Sequence, residues 1–406
     1  MKWWWEWVLT AVAVVTIVLG VQIRFTNLNL PYWADENAQA EIARGVNPAS
    51  GRKEIGYVWA QHRERLGELP AFSLMLHYWL KIEDSAAWSR TLPAMVSLVS
   101  LIYVYKIGRV LGWRKPAALL MTAAVTIGWP FVHYAEEVRI YALSLLSTWM
   151  MIYYGLKFWQ VPDNGNWGKL TAAHLVGIWS HYGHWLFIPI IFGVLWWKNK
   201  WSGRYLLIMV LTCGFLGWNQ LRFHLDGFGV DYVARFKLDY VTGTGEKIKM
   251  AIKQNLDLAV YTFGAVPWYK DADYFPQARD VEVGVYYLGL GLLGLIAGVL
   301  IISRREGSCW WLPGVGLGYT LLVVNLLSLW GKYPVGPVRM SLFYSPLIVV
   351  CGFQAVATAL KKFGLLAIII AGTVIMILIN NLTRFYRVPQ RHIGIEIRGI
   401  REVTFG

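Results

Sequence analysis

The chain has 406 residues, 56% of them hydrophobic and only 15% charged, whereas soluble domains carry about 25% charged residues. That balance excludes an ordinary water-soluble domain. The formal charge of +14 is not a nucleic-acid footprint, because Lys and Arg of membrane proteins collect in cytoplasmic loops and face anionic lipid. Membrane lipids are expected as neighbours and no nucleic-acid partner is expected. The cysteines Cys213, Cys309 and Cys351 lie scattered in or beside apolar runs and form no disulfide framework.

Apolar runs of roughly 18 to 22 residues, long enough to cross a hydrocarbon core as helix, predict an all-α polytopic membrane protein. The start, Met-Lys-Trp-Trp-Trp-Glu-Trp, precedes an apolar run too long for a secretory signal, so it reads as an uncleaved first span. About eleven spans are expected, over residues 7–25, 87–110, 116–132, 139–159, 169–181, 183–198, 205–222, 281–302, 310–330, 341–360 and 363–382. Basic clusters follow every second span: Lys106, Arg109, Arg114 and Lys115; Lys157 and Lys169; Lys198, Lys200 and Arg204; Arg304 and Arg305; Lys361 and Lys362. With Lys2 they put the N-terminus in the cytoplasm and the C-terminal tail outside. The run from Leu170 to Trp197 is short for two spans and long for one. A hairpin turning near Ser180 to Gly183 keeps the later basic loops inside.

On that topology the outer face receives loop 26–86, the turn from His133 to Val138, loop 223–280 and the segment Gly331 to Arg339. Leu66 to Lys81 reads as an apolar helix too short to span, lying along the interface. Residues 1–390 are expected to form one transmembrane module, and 391–406 a short extracytoplasmic tail.

Ionisable residues near membrane depth are the natural candidates for chemistry. Asp35 and Glu36 open a short helix after Pro31, Tyr32 and Trp33, and acidic residues in a first turn also suit the helix dipole. Adjacent helical side chains point about 100° apart, so one carboxylate can face a substrate while the other holds the loop. In Phe131-Val-His-Tyr-Ala-Glu-Glu-Val-Arg-Ile-Tyr141, a helix would put Glu137 and Tyr141 on one face, and Arg139 would need an anion. That anion is either a phosphate or a carboxylate, Glu136 or Glu137 if the pair is internal to the segment. His181 and His184 have the spacing to ligate a metal or to line a polar cavity, and Tyr182 lies between them. Lys332 and Arg339 supply cations at the outer interface, for a lipid phosphate or as helix anchors.

These pieces resemble the GT-C superfamily of polyprenyl-phosphate-sugar-dependent glycosyltransferases, with protein O-mannosyltransferases, the lipid A aminoarabinose transferase and RgtA-like sugar transferases as the similar members. The resemblance rests on Arg24, Leu28, Trp33 and Asp35-Glu36, then on Leu69-Pro70, Ser89-Arg90-Thr91-Leu92-Pro93, Tyr134 to Tyr141, His181-Tyr182, and Arg339 followed by Pro346. It implies an inverting transfer of a sugar from a polyprenyl-phosphate carrier to a hydroxyl on a lipid, glycan or protein acceptor, at the extracytoplasmic face of a membrane, with the bacterial plasma membrane expected. It further implies Asp35 as the base and Glu36, Glu137, Arg139, Tyr141, His181, Tyr182, Lys332 and Arg339 as donor-site residues. A divalent metal is an open addition. The rival readings are a lipid or glycan transporter and a polysaccharide polymerase or ligase. A transporter is disfavoured because no repeated halves are visible and the charges gather at one face.

Overall fold

The computed structural model describes residues 2–61, 69–198, 201–225, 311–329 and 342–362. The expected spans 281–302 and 363–382, most of loop 223–280, Lys332, Arg339 and the tail 391–406 lie outside the described residues. Among the described residues all regular structure is helical, apart from one bridge between Val46 and Lys53. The helices are α1 (Lys2–Ile23), α2 (Ala34–Arg44), α3 (Ile55–Gln61), α4 (Ala71–Trp79), α5 (Ala86–Val110), α6 (Lys115–Ile127) and α7 (Trp129–Glu136). After them come α8 (Tyr141–Gln160), α9 (Asn164–Ile178), α10 (Ile188–Trp197), α11 (Ser202–Leu225), α12 (Trp311–Leu329) and α13 (Ser345–Lys362).

Local chemistry explains several ends. Ser85 caps α5 by accepting the Trp88 N–H at 3.1 Å, and Asp163 caps α9 by accepting the Asn166 N–H at 2.7 Å. Gly45 ends α2 in the left-handed region at φ 59°, which glycine enters at no steric cost. The run expected to span 116–132 stops at Ile127 instead. Gly128 is extended and Pro130 opens the next helix, so α6 and α7 meet at a 54° bend; a proline cannot continue the ladder of hydrogen bonds behind it.

Among the described residues two helices, Glu6–Ile23 and Ala86–Val110, are long and apolar enough to cross a membrane, and the bent α6–α7 pair makes a third if it counts as one span. Shorter apolar helices run over Tyr182–Trp197, Ser202–Trp218, Leu312–Leu327 and Leu342–Gln354. The expected helices therefore exist at most described positions, but length and composition alone do not make each of them a span, and the figure of about eleven stays an expectation.

Helix α8 is the centre of the bundle. It packs between α5 and α9, while α1 lies against α6, and its Trp149, Ser147 and Thr148 are shut from solvent. Arg24, just beyond α1, is also buried; it donates to the Gly20 carbonyl at 2.7 Å, to the Ser97 hydroxyl at 3.0 Å and to the Thr126 carbonyl. It thereby ties α1, α5 and α6 together at one level.

The chain reverses after α9. A 3₁₀ turn, Tyr182–Phe187, leads into α10, and His184 on it packs back against Gly177 of α9. A methyl group at Gly177 would meet both the His184 ring and the Ser147 hydroxyl. Gly177→Ala should therefore cost about 1–3 kcal/mol, the usual range for overpacking, read as a lower midpoint in thermal denaturation in detergent.

The segment between α1 and α5 forms a tied unit. Gln39 on α2 donates to Ser73 on α4, and His77 Nδ1 lies 2.8 Å from the Ala43 carbonyl. Asp84 accepts from Arg44 at 2.9 Å and from Lys53 at 2.8 Å; burial pushes its carboxyl up, but these cations outweigh that and hold it below the usual carboxylate range. Trp79 and Trp88 stack at 4.9 Å, 8° from parallel. Each indole N–H donates to the other residue's carbonyl at 3.0 Å. The pair fixes the angle between α4 and α5.

Candidate active site

Trp33 is extended and α2 begins at Ala34, so Asp35 and Glu36 fall in the first turn. Their surroundings differ sharply. Glu36 is only 2% exposed. Its carboxylate accepts Arg90 Nε at 3.2 Å, Arg90 Nη2, the Val138 N–H at 2.9 Å and the Trp33 N–H at 3.4 Å. Arg90 sends its other donors to the carbonyls of Leu28 at 3.0 Å, Leu30, and Pro31 at 3.0 Å. A guanidinium has five N–H groups, and acceptors from the 28–31 loop and Glu36 take all five. Both oxygens of the Glu36 carboxylate accept from protein donors.

Asp35 is the carboxylate left within reach of a ligand. Its side chain is 37% exposed, and Oδ2 lies 3.8 Å from Nη2 of the buried Arg139. Arg139 also donates to the Asp35 carbonyl at 3.3 Å. Of the anions considered for Arg139, neither Glu136 nor Glu137 is the one ion-paired with it; Asp35 is.

The turn expected at residues 133–138 falls at 137–140 instead. Helix α7 ends at Glu136, Glu137 is extended (φ −84°, ψ 132°), and α8 starts at Tyr141. Capture of the Val138 N–H by Glu36 holds the chain in this break. Glu137 and Tyr141 thus do not share a helix face. The residue four away that meets Glu137 is His133, with Nε2 3.0 Å from Oε1. Tyr141 is buried beside Tyr134 at 4.7 Å, and its ring centre lies 5.9 Å from Arg139 Cζ.

The hairpin reaches the same end of α8. His184 Nε2 is 3.0 Å from the Ser144 hydroxyl, about one turn beyond Tyr141. His181 stacks on Phe343 at 5.6 Å, and its Nδ1 accepts the Gly183 N–H at 3.0 Å. Tyr182 is half-buried beside Trp185 at 5.7 Å. His181 therefore adjoins the chain a few positions after Arg339, while Lys332 and Arg339 themselves lie outside the described residues. His174 Nδ1 lies 2.7 Å from the Tyr205 hydroxyl and its Nε2 lies 2.8 Å from the His184 carbonyl. Among the described residues no three His, Cys, Asp or Glu converge to hold a metal ion. His184 meets the Ser144 hydroxyl and His181 the Phe343 ring.

Sequence reasoning gave no role to Arg90, His133 or His174. The signal for Arg90 was there: an arginine just inside an apolar run must find acceptors or a carboxylate. For His133 the i, i+4 spacing to Glu137 carried it. Nothing local pointed to the His174–Tyr205 contact.

No family model and no curated protein matches the chain. A solved structure does: the crystal structure of the Archaeoglobus fulgidus oligosaccharyltransferase in the apo form, 11% identical, with a TM-score of 0.53 over 95% of this chain. The chain spans a little over half of that protein, 56% of its length. The fold is GT-C-like. Identity this low speaks to architecture alone. Within this GT-C-like frame, Asp35, Arg139, Tyr141 and His181 are brought to the α2–α8 end of the bundle, and Glu36 and Arg90 form the scaffold beneath Asp35.

Proposed function

We propose that the chain is an inverting glycosyltransferase that moves a sugar from a polyprenyl-phosphate carrier to an acceptor hydroxyl at the extracytoplasmic face of a membrane. The observation that carries the reading is the partly open Asp35 carboxylate paired with the buried Arg139; the GT-C-like fold agrees with it. Asp35 takes the proton of the acceptor hydroxyl as it attacks the anomeric carbon, the work of a general base. The lipid phosphate leaves as an anion with a second pKa near 6, so it needs positive charge in a desolvated site rather than an acid.

Arg139 is that charge. The donor phosphodiester carries one negative charge, as a carboxylate does, and gains a second as the sugar leaves, so Arg139 holds the phosphate more strongly while the bond breaks and Asp35 is free to take the acceptor proton. Tyr141 lies under the guanidinium and limits where it can swing. His181 and Tyr182 line the neighbouring hairpin. Lys332 and Arg339 are further phosphate cations on this reading, and Glu137, which meets His133 at 3.0 Å, joins the donor site with them.

Arg139→Ala should weaken binding of a phosphate-bearing polyprenol analogue by about 10- to 100-fold, the loss expected for one or two hydrogen bonds to a charged group. Titration in detergent measures it, and unchanged affinity would remove Arg139 from the donor site. The function itself is tested by incubating the purified protein with a panel of radiolabelled polyprenyl-phosphate sugars and scoring transfer and hydrolysis. Movement of intact labelled lipid across vesicles without either reaction would favour the transporter.

A further inference from the structure

The packed helices α5 and α8 carry a second polar cluster, at the end of the pair away from Asp35. Tyr103 on α5 and Tyr153 and Tyr154 on α8 form a triangle of rings, with centres 5.7, 5.8 and 5.0 Å apart. The Lys106 ammonium lies over two of them, 5.4 Å from the centre of Tyr103 and 5.8 Å from that of Tyr153. Between Tyr141 and Tyr153 runs about 18 Å of helix, so the cluster is remote from the candidate active site.

The cluster is rich in donors and short of acceptors. The Tyr103 and Tyr154 hydroxyls share one hydrogen bond at 3.2 Å, which leaves one of the two O–H groups undonated. Among the described residues the Tyr153 hydroxyl has no hydrogen-bond partner, and no carboxylate pairs with Lys106. An ammonium donates and accepts nothing, and a cation inside an apolar helix is costly without a counter-charge. Lys157 follows Tyr153 at i+4 on the same face of α8 and adds a second positive charge.

The surface beside the cluster identifies the ligand. Lys106 is exposed and continues the exposed stripe Met95, Val99 and Ile102 of α5, at i, i+4, i+7 and i+11. Helix α5 is long and apolar enough to cross a membrane, so this stripe suits hydrocarbon chains. Lys106 stands about 6 Å short of the end of the helix at Val110. An ammonium and free phenol O–H groups at the mouth of an apolar stripe match an amphiphile with an anionic head and a hydrocarbon tail. A free phosphate would satisfy the donors but has no use for the stripe.

We infer that Tyr103, Lys106, Tyr153 and Tyr154 form a binding site for one phospholipid of net negative headgroup. Its phosphate is received by Lys106 and the tyrosine hydroxyls, and an acyl chain lies along Ile102, Val99 and Met95. The lipid fastens α5 to α8 at one end. At the other end, Arg90 near the start of α5 holds Glu36, and Arg139 just before α8 meets Asp35. The site does not depend on the glycosyltransferase reading.

Native mass spectrometry of the delipidated protein in detergent, titrated with phosphatidylglycerol or phosphatidylcholine, tests the site. One phosphatidylglycerol should bind at least about 10-fold more tightly than phosphatidylcholine, the worth of one hydrogen bond to a charged group. Lys106→Gln should weaken it by about 10- to 100-fold and Tyr153→Phe by about 10-fold. Lys115→Gln, at an exposed basic residue of α6 outside the cluster, should leave it unchanged. Melting curves recorded without lipid should coincide for all three variants, which separates lost binding from lost folding. Equal binding of the two lipids, or equal losses in Lys115→Gln and Lys106→Gln, would mean diffuse attraction to a basic surface and overturn the proposal. Displacement of the lipid by soluble glycerol phosphate would reduce the site to one for free anions and overturn it too. None of these readouts requires sugar transfer, so a failed transferase assay leaves them decisive.

Discussion

Asp35→Asn is expected to lower sugar transfer by about 10²- to 10⁴-fold, the contribution of a positioned general base, with little loss of folded protein. The asymmetry follows from burial. Asparagine keeps the size of the side chain, and Asp35 is partly exposed with its Arg139 pair stretched to 3.8 Å, so losing that pair costs the fold little. The check is a radiolabelled transfer assay beside a melting curve on the same preparation. Transfer at the normal rate would remove Asp35 as the base. A collapse in stability with the rate loss would move the residue from chemistry to scaffold.

Arg90→Ala has the opposite profile. Arg90 is 4% exposed and Glu36 2%, and removing one partner of a buried ion pair leaves the other charge stranded at a cost of about 3–5 kcal/mol. The carbonyls of Leu28, Leu30 and Pro31 lose their donor in the same stroke. The expected result is a large drop in thermal midpoint and in the yield of monodisperse protein. Glu36→Gln should be milder, because the amide oxygen still accepts from the Val138 N–H or from Arg90. A stable Arg90→Ala protein would show that the 28–31 loop holds its shape by other means.

Much of the architecture was legible because the features that encode it are local. Apolar runs placed α1, α5, α8, α11, α12 and α13 within a few residues. The different surroundings of Asp35 and Glu36 were also foreseeable, since neighbours on a helix face different directions. The long-range pairings were not. Glu36 meets Arg90 at 54 positions' distance and Val138 at 102, and nothing in either neighbourhood specifies the other. The same contacts shift the expected turn at residues 133–138: α7 runs on to Glu136, and the break follows where a carboxylate from α2 takes the Val138 N–H. The α6–α7 bend could have been read from Gly128 and Pro130, where a missing N–H forbids a straight helix.

The clamp around Arg90 has a consequence for biogenesis. As the chain emerges, α1 and the segment carrying Asp35 come first, yet the guanidinium that shapes that segment belongs to α5, and the N–H that completes the Glu36 shell belongs to Val138. Until α5 is inserted, the loop carbonyls at 28–31 remain wet and Asp35 has no defined direction. Until α7 has followed, Arg139 is not beside it. The segment that carries Asp35 thus precedes in the chain every residue that shapes it, and it takes its geometry only once α5 and α7 have followed.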